Sequence, residues 1–403
     1  MSIFILNRTR LGRDPYDKWI EDIDNEVHFL TRNDVVEDFK KLGKFDAVEG
    51  FSNFSKSELP YRYIDKHINE KNENYLVSIH EYDLIKAGKV RDRYGLEGQS
   101  AISAQAFRDK VKMKELLKDA IVVPKFKKVT SVYDILDFIN EVGFPVVIKP
   151  VDMAASVDVF VVKNEQELDS VLEHGIGTNW EIEEFIDGEM YHIDGLYGSD
   201  KILLCRPSKY INGCLAYKDN KFLGSVLLTK ENPLFNELKY SVKKVLDTLP
   251  TPKSTIAFHA EFFVTADNNI ILCEIASRVG GVKIVEVLEH ATGVNILKEW
   301  VRAQCGVNNS QEYHDNDEYG GWVLIPPQNG KLVKINKDFP YGDWVAIAEV
   351  NYDLIGKEFD GAGSSIDQIA EFAIKGKNEE EVIIRIEQIN EWFRKNTIWD
   401  TSQ

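Results

Sequence analysis

The chain has 403 residues, 43% of them hydrophobic and 29% charged, which is the balance of a folded protein with two or three domains. Its net charge of −17 at pH 7 argues against a nucleic-acid partner, because no basic block offsets it. The four cysteines are widely spaced and include no Cys-x-x-Cys pair, so neither a zinc site nor a disulfide framework is indicated. No apolar run approaches the length of a membrane span. We therefore expect a cytoplasmic protein with no membrane partner.

The first hundred residues alternate between short apolar strands and helical segments. Strands are predicted at 3–6, 27–31, 45–50 and 75–79, and helices at 34–42 and 82–94. This alternation predicts a Rossmann-like βα domain over residues 1–98, with a small and mostly parallel sheet. The segment contains no GxGxxG turn, so dinucleotide binding is not indicated.

A second α/β unit is predicted over residues 99–186. It begins with one long helix, 100–118, and continues with an amphipathic helix, 132–142, that ends at Gly143 as a helix often ends at a glycine. A strong apolar strand follows at 144–150.

The remainder of the chain is divided at residue 310. We assign residues 187–310 to a third unit, which contains a predicted helix at 237–249 and an acidic β-hairpin. Residues 311–403 form a C-terminal cap region that ends in a predicted helix at 378–395.

Two glutamates are set to face each other across this hairpin. The segments on either side of Asp267 and Asn268 alternate in hydrophobicity, and Asp and Asn tolerate the backbone of a tight turn. A two-residue turn there places Glu261 directly opposite Glu274, with Cβ atoms roughly 4.5–5.5 Å apart. Like charges so placed are unfavourable unless a cation lies between them, and Mg²⁺ binds such carboxylates. A solvated acidic hairpin is the alternative.

Two other segments carry groups suited to phosphate. Lys149 ends the apolar strand, and the small residues after it, as far as Ser156, let backbone N–H groups approach phosphate oxygens. Arg278 follows the hairpin and precedes Gly280 and Gly281, where it can stabilise negative charge near a metal. The alternatives are a lysine that reaches solvent, an ordinary turn and a surface arginine.

The segment 183–186 ends a strand and runs into a turn. The free backbone groups of such a strand edge can bind an adenine ring, and neighbouring carboxylates can accept hydrogen bonds from ribose hydroxyls. A solvated charge cluster is the alternative. On the next strand His192 and Asp194 alternate on one face, and we favour a structural histidine over a ligand there.

Taken in order, these segments resemble the ATP-grasp superfamily, most closely its carboxylate–amine ligases that act on L-amino acids and peptides. The helix with the Asp-Lys pair at 109–110 resembles the opening helix of that family, and the match covers residues 100–310 well and both ends more loosely. The resemblance implies an α/β ATP-grasp fold, with an N-terminal βα domain, two subdomains that clasp ATP and a C-terminal cap. The implied ATP-binding residues are Lys110, Lys149, Ser156, Glu183, Glu184, Phe185, Ile186 and Glu189, the implied metal ligands are Glu261 and Glu274, and the implied catalytic residue is Arg278.

The chain departs from the family pattern at three places. Ala276 stands where the family signature has an asparagine that often binds a metal ion. The phosphate lid contains Ala154-Ala155-Ser156 in place of a glycine-rich run, and the acid of the hinge falls one place early, with Met190 where some members have it.

The resemblance implies a reaction in which ATP phosphorylates a carboxylate, an amine attacks the acylphosphate, and ADP and phosphate are released. Mg²⁺ or Mn²⁺ is the implied cofactor, and small carboxylate and amine substrates are the implied partners. A carrier-protein thiol as acceptor, a biotin-carboxylase or purine-pathway enzyme, and a non-catalytic ATP-binding module are alternatives, and a homodimer is an open option. The residues suggested for substrate recognition are Arg206, Lys209, Tyr210, Gly280 and Gly281.

Overall fold

The computed structural model describes residues 1–69, 71–177, 179–307, 313, 316, 318–340 and 342–401. In the described part of the chain no helix is both long and apolar enough to cross a membrane. The predicted boundary at residue 310 lies outside the described residues.

The N-terminal segment forms a four-stranded parallel sheet in the order β3-β2-β1-β4. The predicted strands and helices are confirmed, with ends that differ by one or two residues. The central strand β1 is completely buried, because helices cover the sheet on both faces. The elements are β1 (Ser2–Leu6), α1 (Tyr16–Trp19), β2 (Glu26–Arg32), α2 (Val36–Leu42), β3 (Ala47–Phe51), α3 (Leu59–His67), β4 (Asn74–Ser78) and α4 (Leu84–Tyr94).

The long helix predicted at 100–118 is wrong, because the segment forms two helices, α5 (Ala101–Arg108) and α6 (Lys110–Leu117). Asp109 interrupts them with an extended backbone (φ −88°, ψ 103°), and its side chain accepts a hydrogen bond from the Lys112 amide at 3.0 Å. Asp109 is therefore the N-cap of α6, the position that aspartate favours. The Lys110 amide, freed from the helix, donates to the Val151 carbonyl at 3.1 Å.

The next unit is a small antiparallel sheet in the order β5-β8-β6-β7. Its core is mostly aliphatic, with Ile135, Ile148 and Ile182 fully buried, and includes Phe138 and Trp180. The predicted amphipathic helix over 132–142 is confirmed as α7, and Gly143 follows it with φ 82°. The elements are β5 (Phe126–Val129), α7 (Val132–Val142), β6 (Val146–Pro150), β7 (Phe160–Val162), α8 (Glu165–His174) and β8 (Trp180–Glu184).

One eight-stranded antiparallel sheet spans the rest of the chain, in the order β13-β12-β9-β10-β11-β14-β18-β16. Buried side chains of α9 and β12 form the core on one face, and α10, α11 and α12 pack around the sheet. The large-sheet elements are β9 (Glu189–Gly198), β10 (Lys201–Ile211), β11 (Leu223–Leu227), α9 (Leu234–Thr248), β12 (Ile256–Val264), β13 (Ile270–Ala276), α10 (Ile284–Thr292), α11 (Ile296–Gln304) and β14 (Tyr319–Ile325).

The C-terminal segment shares this sheet, because β14, β16 and β18 extend it beyond β11. A separate three-stranded sheet, β17-β15-β19, lies beside it. The division of the chain into four parts stays a prediction. The remaining elements are β15 (Gly330–Ile335), β16 (Val345–Val350), β17 (Glu358–Phe359), β18 (Ala370–Gly376), α12 (Glu379–Asn396) and β19 (Thr397–Asp400).

Candidate functional site

The predicted pairing of Glu261 with Glu274 across β12 and β13 is confirmed. The predicted two-residue turn is wrong, because the Thr265 amide donates to the Asn269 carbonyl at 3.1 Å and closes a three-residue loop. Three-residue loops of this kind often have a left-handed residue before the second strand, and φ of Asn268 is 60°.

A β-bulge compensates for the longer turn. The register changes between Phe262↔Leu272 and Glu261↔Glu274, so Cys273 is one extra residue in β13. A shift by one residue turns a side chain to the other face of a sheet, and the bulge reverses that shift. The two glutamates therefore lie opposite each other because of the bulge, which the alternating pattern does not predict.

Cations and hydrogen-bond donors surround the two carboxylates. Lys110 Nζ lies 2.9 Å from Glu274 Oε2 and donates to the Met153 carbonyl at 2.8 Å. On the other strand, the Tyr210 hydroxyl donates to Glu261 Oε1 at 2.7 Å, and His259 Nε2 lies 3.4 Å from the same oxygen. None of the hydrogen bonds among the described residues uses Glu261 Oε2, which leaves this oxygen for a ligand.

Both carboxylates favour the ionised form. Burial raises the pKa of Glu274, but the ammonium groups of Lys110 and Lys149 outweigh it and hold the pKa below its usual value. Burial also raises the pKa of Glu261, and the hydrogen bond and charge of His259 lower it further than burial raises it. Two carboxylates that remain charged side by side are suited to bind a divalent cation.

A network of two lysines and two glutamates lies beside this hairpin. Lys149 Nζ is 2.5 Å from Glu183 Oε1 and 3.7 Å from Glu181 Oε1. Lys114 Nζ is 2.8 Å from Glu181 and 2.7 Å from Glu183, and its side chain is completely buried. The two lysines hold the pKa of Glu183 below its usual value against the effect of burial. The predicted phosphate lysine and the predicted hinge glutamate are thus in direct contact.

Most of these charged residues, though not Lys114 and Glu181, line one cavity, which measures about 820 Å³ together with its opening to solvent. It lies between the small sheet and the eight-stranded sheet, and apolar side chains such as Val147 and Phe263 form much of its wall. The predicted site residues that line it are Lys110, Lys149, Ser156, Glu183, Glu184, Phe185, Ile186, Glu261 and Glu274.

The predicted lid covers this cavity in a strained backbone conformation. Ala155, Ser156 and Asp158 have φ of 60°, 54° and 54°, in the left-handed region. Among the contacts of the lid, the Tyr217 hydroxyl donates to the Ser156 carbonyl at 3.1 Å, and the Ser365 amide donates to the Ala155 carbonyl at 3.2 Å. The lid thus connects the small sheet to the C-terminal segment.

Arg278 follows Glu274 by four residues and is paired with a residue from the N-terminal segment. Its Nε donates to Glu81 Oε2 at 2.9 Å, and its Nη1 donates to the Val279 carbonyl at 2.8 Å. The other Glu81 oxygen is 2.6 Å from Arg108 Nη1. One carboxylate therefore holds two guanidinium groups, and Arg278 keeps net positive charge beside Glu274.

A second cavity begins at Val279, the residue after Arg278, and measures about 1590 Å³ together with its opening to solvent. The loop after β1 and the segment after Arg278 form its opposite walls, and Gly280 and Gly281 line it. Its charged lining residues include Arg13, Asp14 and Lys283. This mixture of charges suits a small polar molecule more than an apolar one.

Four of the predicted residues lie elsewhere. Glu189 and Lys209 pair with each other at 2.6 Å on the surface, while Met190, one place along β9, lines the first cavity. Arg206 is buried beneath the sheet, with its guanidinium over the Tyr319 ring at 5.6 Å. Tyr210 contacts the carboxylate of Glu261. The alternation of strand side chains explains these positions, because neighbours along β9 and β10 point to opposite faces.

A chain of buried polar groups supports Glu261 from behind. His259 Nδ1 is 2.8 Å from Asp194 Oδ1, and His192 Nδ1 is 2.5 Å from Asp194 Oδ2. His192 Nε2 lies 2.6 Å from the Ser225 hydroxyl. Both ring nitrogens of His192 are thus hydrogen-bonded. Its ligand atoms and those of Asp194 and His259 lie within 4.8 Å of one another, so the structural role of His192 stays a prediction.

Three charged residues of the site were missed by the sequence reasoning. Lys114 has a signal, since it is four residues after Lys110 and shares its helix face. Glu181 has another, since it alternates with Glu183 on one strand face. Glu81 has none, because its partner Arg278 lies far along the chain and only the fold brings the two together.

Residues 142–286 match the model of the ATP-grasp domain family. The chain contains an ATP-grasp domain. The segment matched begins at the end of α7 and includes the lid, the hinge strand and both hairpin glutamates. All the residues that line the cavity between the two sheets belong to this segment except Lys110, and the fold predicted from the sequence is confirmed.

The chain is similar to several characterised relatives. It is 24% identical to the L-arginine-specific L-amino acid ligase of Bacillus subtilis over 323 residues, which covers 77% of this chain and 76% of that protein. It is 23% identical to the alanine–anticapsin ligase of Bacillus subtilis strain 168 over 363 residues, which covers 75% of this chain and 73% of that protein.

Solved structures share the complete architecture around the ATP-grasp domain. The L-amino acid ligase from Bacillus licheniformis superposes with a TM-score of 0.75 at 16% identity and covers 99% of this chain and 98% of that one. The biotin carboxylase domain dimer of Hydrogenobacter thermophilus 2-oxoglutarate carboxylase, solved with MgADP and bicarbonate, gives 0.69 at 15% identity and covers 99% and 90%. At these identities the likeness establishes the fold.

Proposed function

We propose that the chain is an ATP-dependent carboxylate–amine ligase. It phosphorylates a carboxylate of an amino acid to an acylphosphate, joins it to an amine, and releases ADP and phosphate. The observation that carries this proposal is the arrangement at the border of two cavities: two opposed ionised carboxylates, two buried lysines and Arg278. The names of the relatives, which are amino-acid ligases, support the same reaction.

ATP fits the first cavity. The apolar walls suit an adenine ring, and Glu184, Phe185 and Ile186 at the end of β8 line the cavity. The predicted free strand edge is wrong, because β8 is an inner strand and the amides of Glu184 and Phe185 donate to the Lys125 and Pro145 carbonyls. Lys110 and Lys149 would neutralise the phosphates as point charges, and the lid would cover them. Glu189 points to the surface, so we assign the ribose contact to the cavity wall near Met190 and not to this carboxylate.

A divalent metal ion fits the hairpin. Glu261 and Glu274 would hold Mg²⁺, or Mn²⁺, since both are ionised and Glu261 Oε2 takes part in none of the described hydrogen bonds. The ion would supply charge neutralisation at the transferring phosphoryl group. Ala276 offers no oxygen from its side chain, so the chain contributes two carboxylate ligands at this hairpin.

The substrates fit the second cavity. Arg278 lies between the two cavities and would stabilise the charge of the acylphosphate where the carboxylate meets ATP. Gly281 leaves room for a substrate there, since nothing lies within 4 Å of the place of a Cβ atom, whereas Gly280 allows close packing on Ile284 and Asp194. The relatives named above are amino-acid ligases, so we assign an amine acceptor in preference to a carrier-protein thiol. We place the enzyme in the cytoplasm, in keeping with its four free cysteines.

The test is release of phosphate from Mg·ATP with the twenty amino acids, singly and in pairs, and mass spectrometry of the products. We expect a new amide together with ADP for at least one pair. Glu274→Gln should reduce the rate at least about 100-fold, because it removes one charged ligand of the metal. Glu173→Gln, an exposed glutamate on α8, is the matched control and should leave the rate unchanged.

Two outcomes would contradict the proposal. Normal turnover in Glu274→Gln would mean that this carboxylate does not serve the reaction. If Mg·ATP raises the melting temperature while no pair gives ADP or amide, the chain is a nucleotide-binding module without catalysis.

A further inference from the structure

His80 lies at the second cavity, beside the residue that pairs with Arg278. It follows β4 and precedes Glu81, which holds Arg278. Its ring lines the cavity together with Gly280 and stacks on Tyr82 with ring centroids 5.4 Å apart. Its Nδ1 atom is buried and has no hydrogen-bond partner among the described residues. The residue as a whole is only partly buried, and a buried ring nitrogen without a partner is unusual and calls for an explanation.

The proposed reaction needs a base in this cavity. An amino acid arrives with its amine protonated, and an ammonium group has no lone pair with which to attack an acylphosphate. A side chain on the acceptor side of Arg278 must therefore remove a proton.

The other bases that line this cavity are engaged. Asp14 accepts a hydrogen bond from the Thr9 hydroxyl at 2.7 Å. Glu286 and Glu349 lie 3.5 Å and 2.6 Å from the buried Lys283. Among the described residues of the cavity wall, this leaves His80 as the base that no ion pair or hydrogen bond occupies.

We propose that His80 is the general base that deprotonates the acceptor amine, a role that rests on the proposed ligase function. The ammonium transfers one proton to the imidazole, and the freed lone pair attacks the carbonyl carbon of the acylphosphate. The C–N bond forms, the bond from carbon to the phosphate oxygen breaks, and the departing phosphate takes the second proton. His80 then returns its proton to solvent.

The surroundings of His80 support the neutral form that a base requires. Burial lowers the pKa of the imidazole, and the Arg8 and Arg278 guanidinium groups lower it further. Asp83 and Glu81 act in the opposite direction and are outweighed. Asp83 is itself paired with Arg8, and Glu81 with Arg278 and Arg108.

Hydroxylamine separates this role from all earlier steps, because it is unprotonated at neutral pH and traps an acylphosphate as a hydroxamate without a base. For His80→Asn we expect hydroxamate formation within about twofold of the wild type, while amide formation falls about 100-fold, within the range for general-base catalysis. The acidic limb of the pH profile for amide formation should also disappear. His174→Asn, an exposed histidine on α8, is the control.

The outcomes are distinct. An equal loss of amide and hydroxamate, in both His80→Asn and His80→Gln, would overturn the proposal and indicate a structural role. Normal amide formation in either folded variant would overturn it as well. If the wild type itself forms no hydroxamate with any carboxylate, the ligase function fails first.

Discussion

Lys114 shows how much of the site depends on a single buried charge. It is completely buried between Glu181 and Glu183, and Lys149 shares the same two carboxylates. Removal of one member of such a network leaves uncompensated charge in the interior, which costs several kcal/mol. The ammonium of Lys114 is therefore as important for the geometry of the cavity as the residues that line it.

We predict that Lys114→Met lowers the free energy of unfolding by about 3–5 kcal/mol, because two glutamates then share one lysine. The affinity for Mg·ATP should also fall, since Glu183 and Lys149 change position together. Denaturant unfolding and nucleotide titration measure the two effects. Lys118→Met, an exposed lysine just after α6, is the control and should change neither. A stable Lys114→Met protein with normal affinity would show that the network is not needed.

Local patterns in the sequence predict residues that are paired within one hairpin, but not partners that come from distant segments. The pairing of Glu261 with Glu274 could be predicted because a short turn connects their strands. The pairing of Glu81 with Arg278 could not be predicted, because no local pattern indicates a contact between the N-terminal segment and the end of β13. The outward position of Glu189 was also beyond the sequence, since it depends on the register of β9.

At the scale of elements, small irregularities position the reactive side chains. The break at Asp109 starts a new helix at Lys110, and the bulge at Cys273 restores the register of Glu274. Amphipathic helices such as α7 were predictable because apolar spacing determines them. The break and the bulge were not, because a single aspartate or cysteine fits equally well inside a regular element.

We predict that Asp109→Ala lowers the free energy of unfolding by about 1 kcal/mol, the usual value of an N-cap, and also weakens ATP binding. The second effect follows because the cap determines where α6 begins, and Lys110 is its first residue. Asn164→Ala is the matched control, since Asn164 caps α8 through the Glu167 amide at 3.0 Å, away from the cavity. It should cost similar stability with normal ATP binding. Equal ATP affinity in the two variants would contradict the role of the helix break.

At the scale of the whole molecule, the lid joins parts of the chain that are far apart in sequence. It leaves β6, contacts Tyr217 beside the eight-stranded sheet and contacts Ser365 in the C-terminal segment. Closure of this lid would keep water away from the acylphosphate. The stability of the closed state therefore determines how much ATP is consumed without formation of the amide.

We predict that Tyr217→Phe increases the ratio of ADP to amide about fivefold, because loss of one hydrogen bond costs about 1 kcal/mol and the lid opens more often. Parallel measurement of ADP and amide gives the ratio. Tyr240→Phe, with a ring that is 70% exposed on α9, is the control. An unchanged ratio would mean that the Ser156 carbonyl contact does not hold the lid.

The shared eight-stranded sheet also affects how the protein is made on the ribosome. Domains usually fold as units during synthesis, beginning from the N-terminus. The hairpin that carries Glu261 and Glu274 leaves the ribosome early, but β18 and β16 complete its sheet only when the chain has been made to Gly376. Until β14 has been made, β11 with its Leu223, Val226 and Leu227 is an exposed edge strand, the kind of edge that pairs with other chains. A nascent chain that stalls before β14 is therefore expected to bind chaperones, whereas the N-terminal parallel sheet needs the chain only as far as α11, which completes its core.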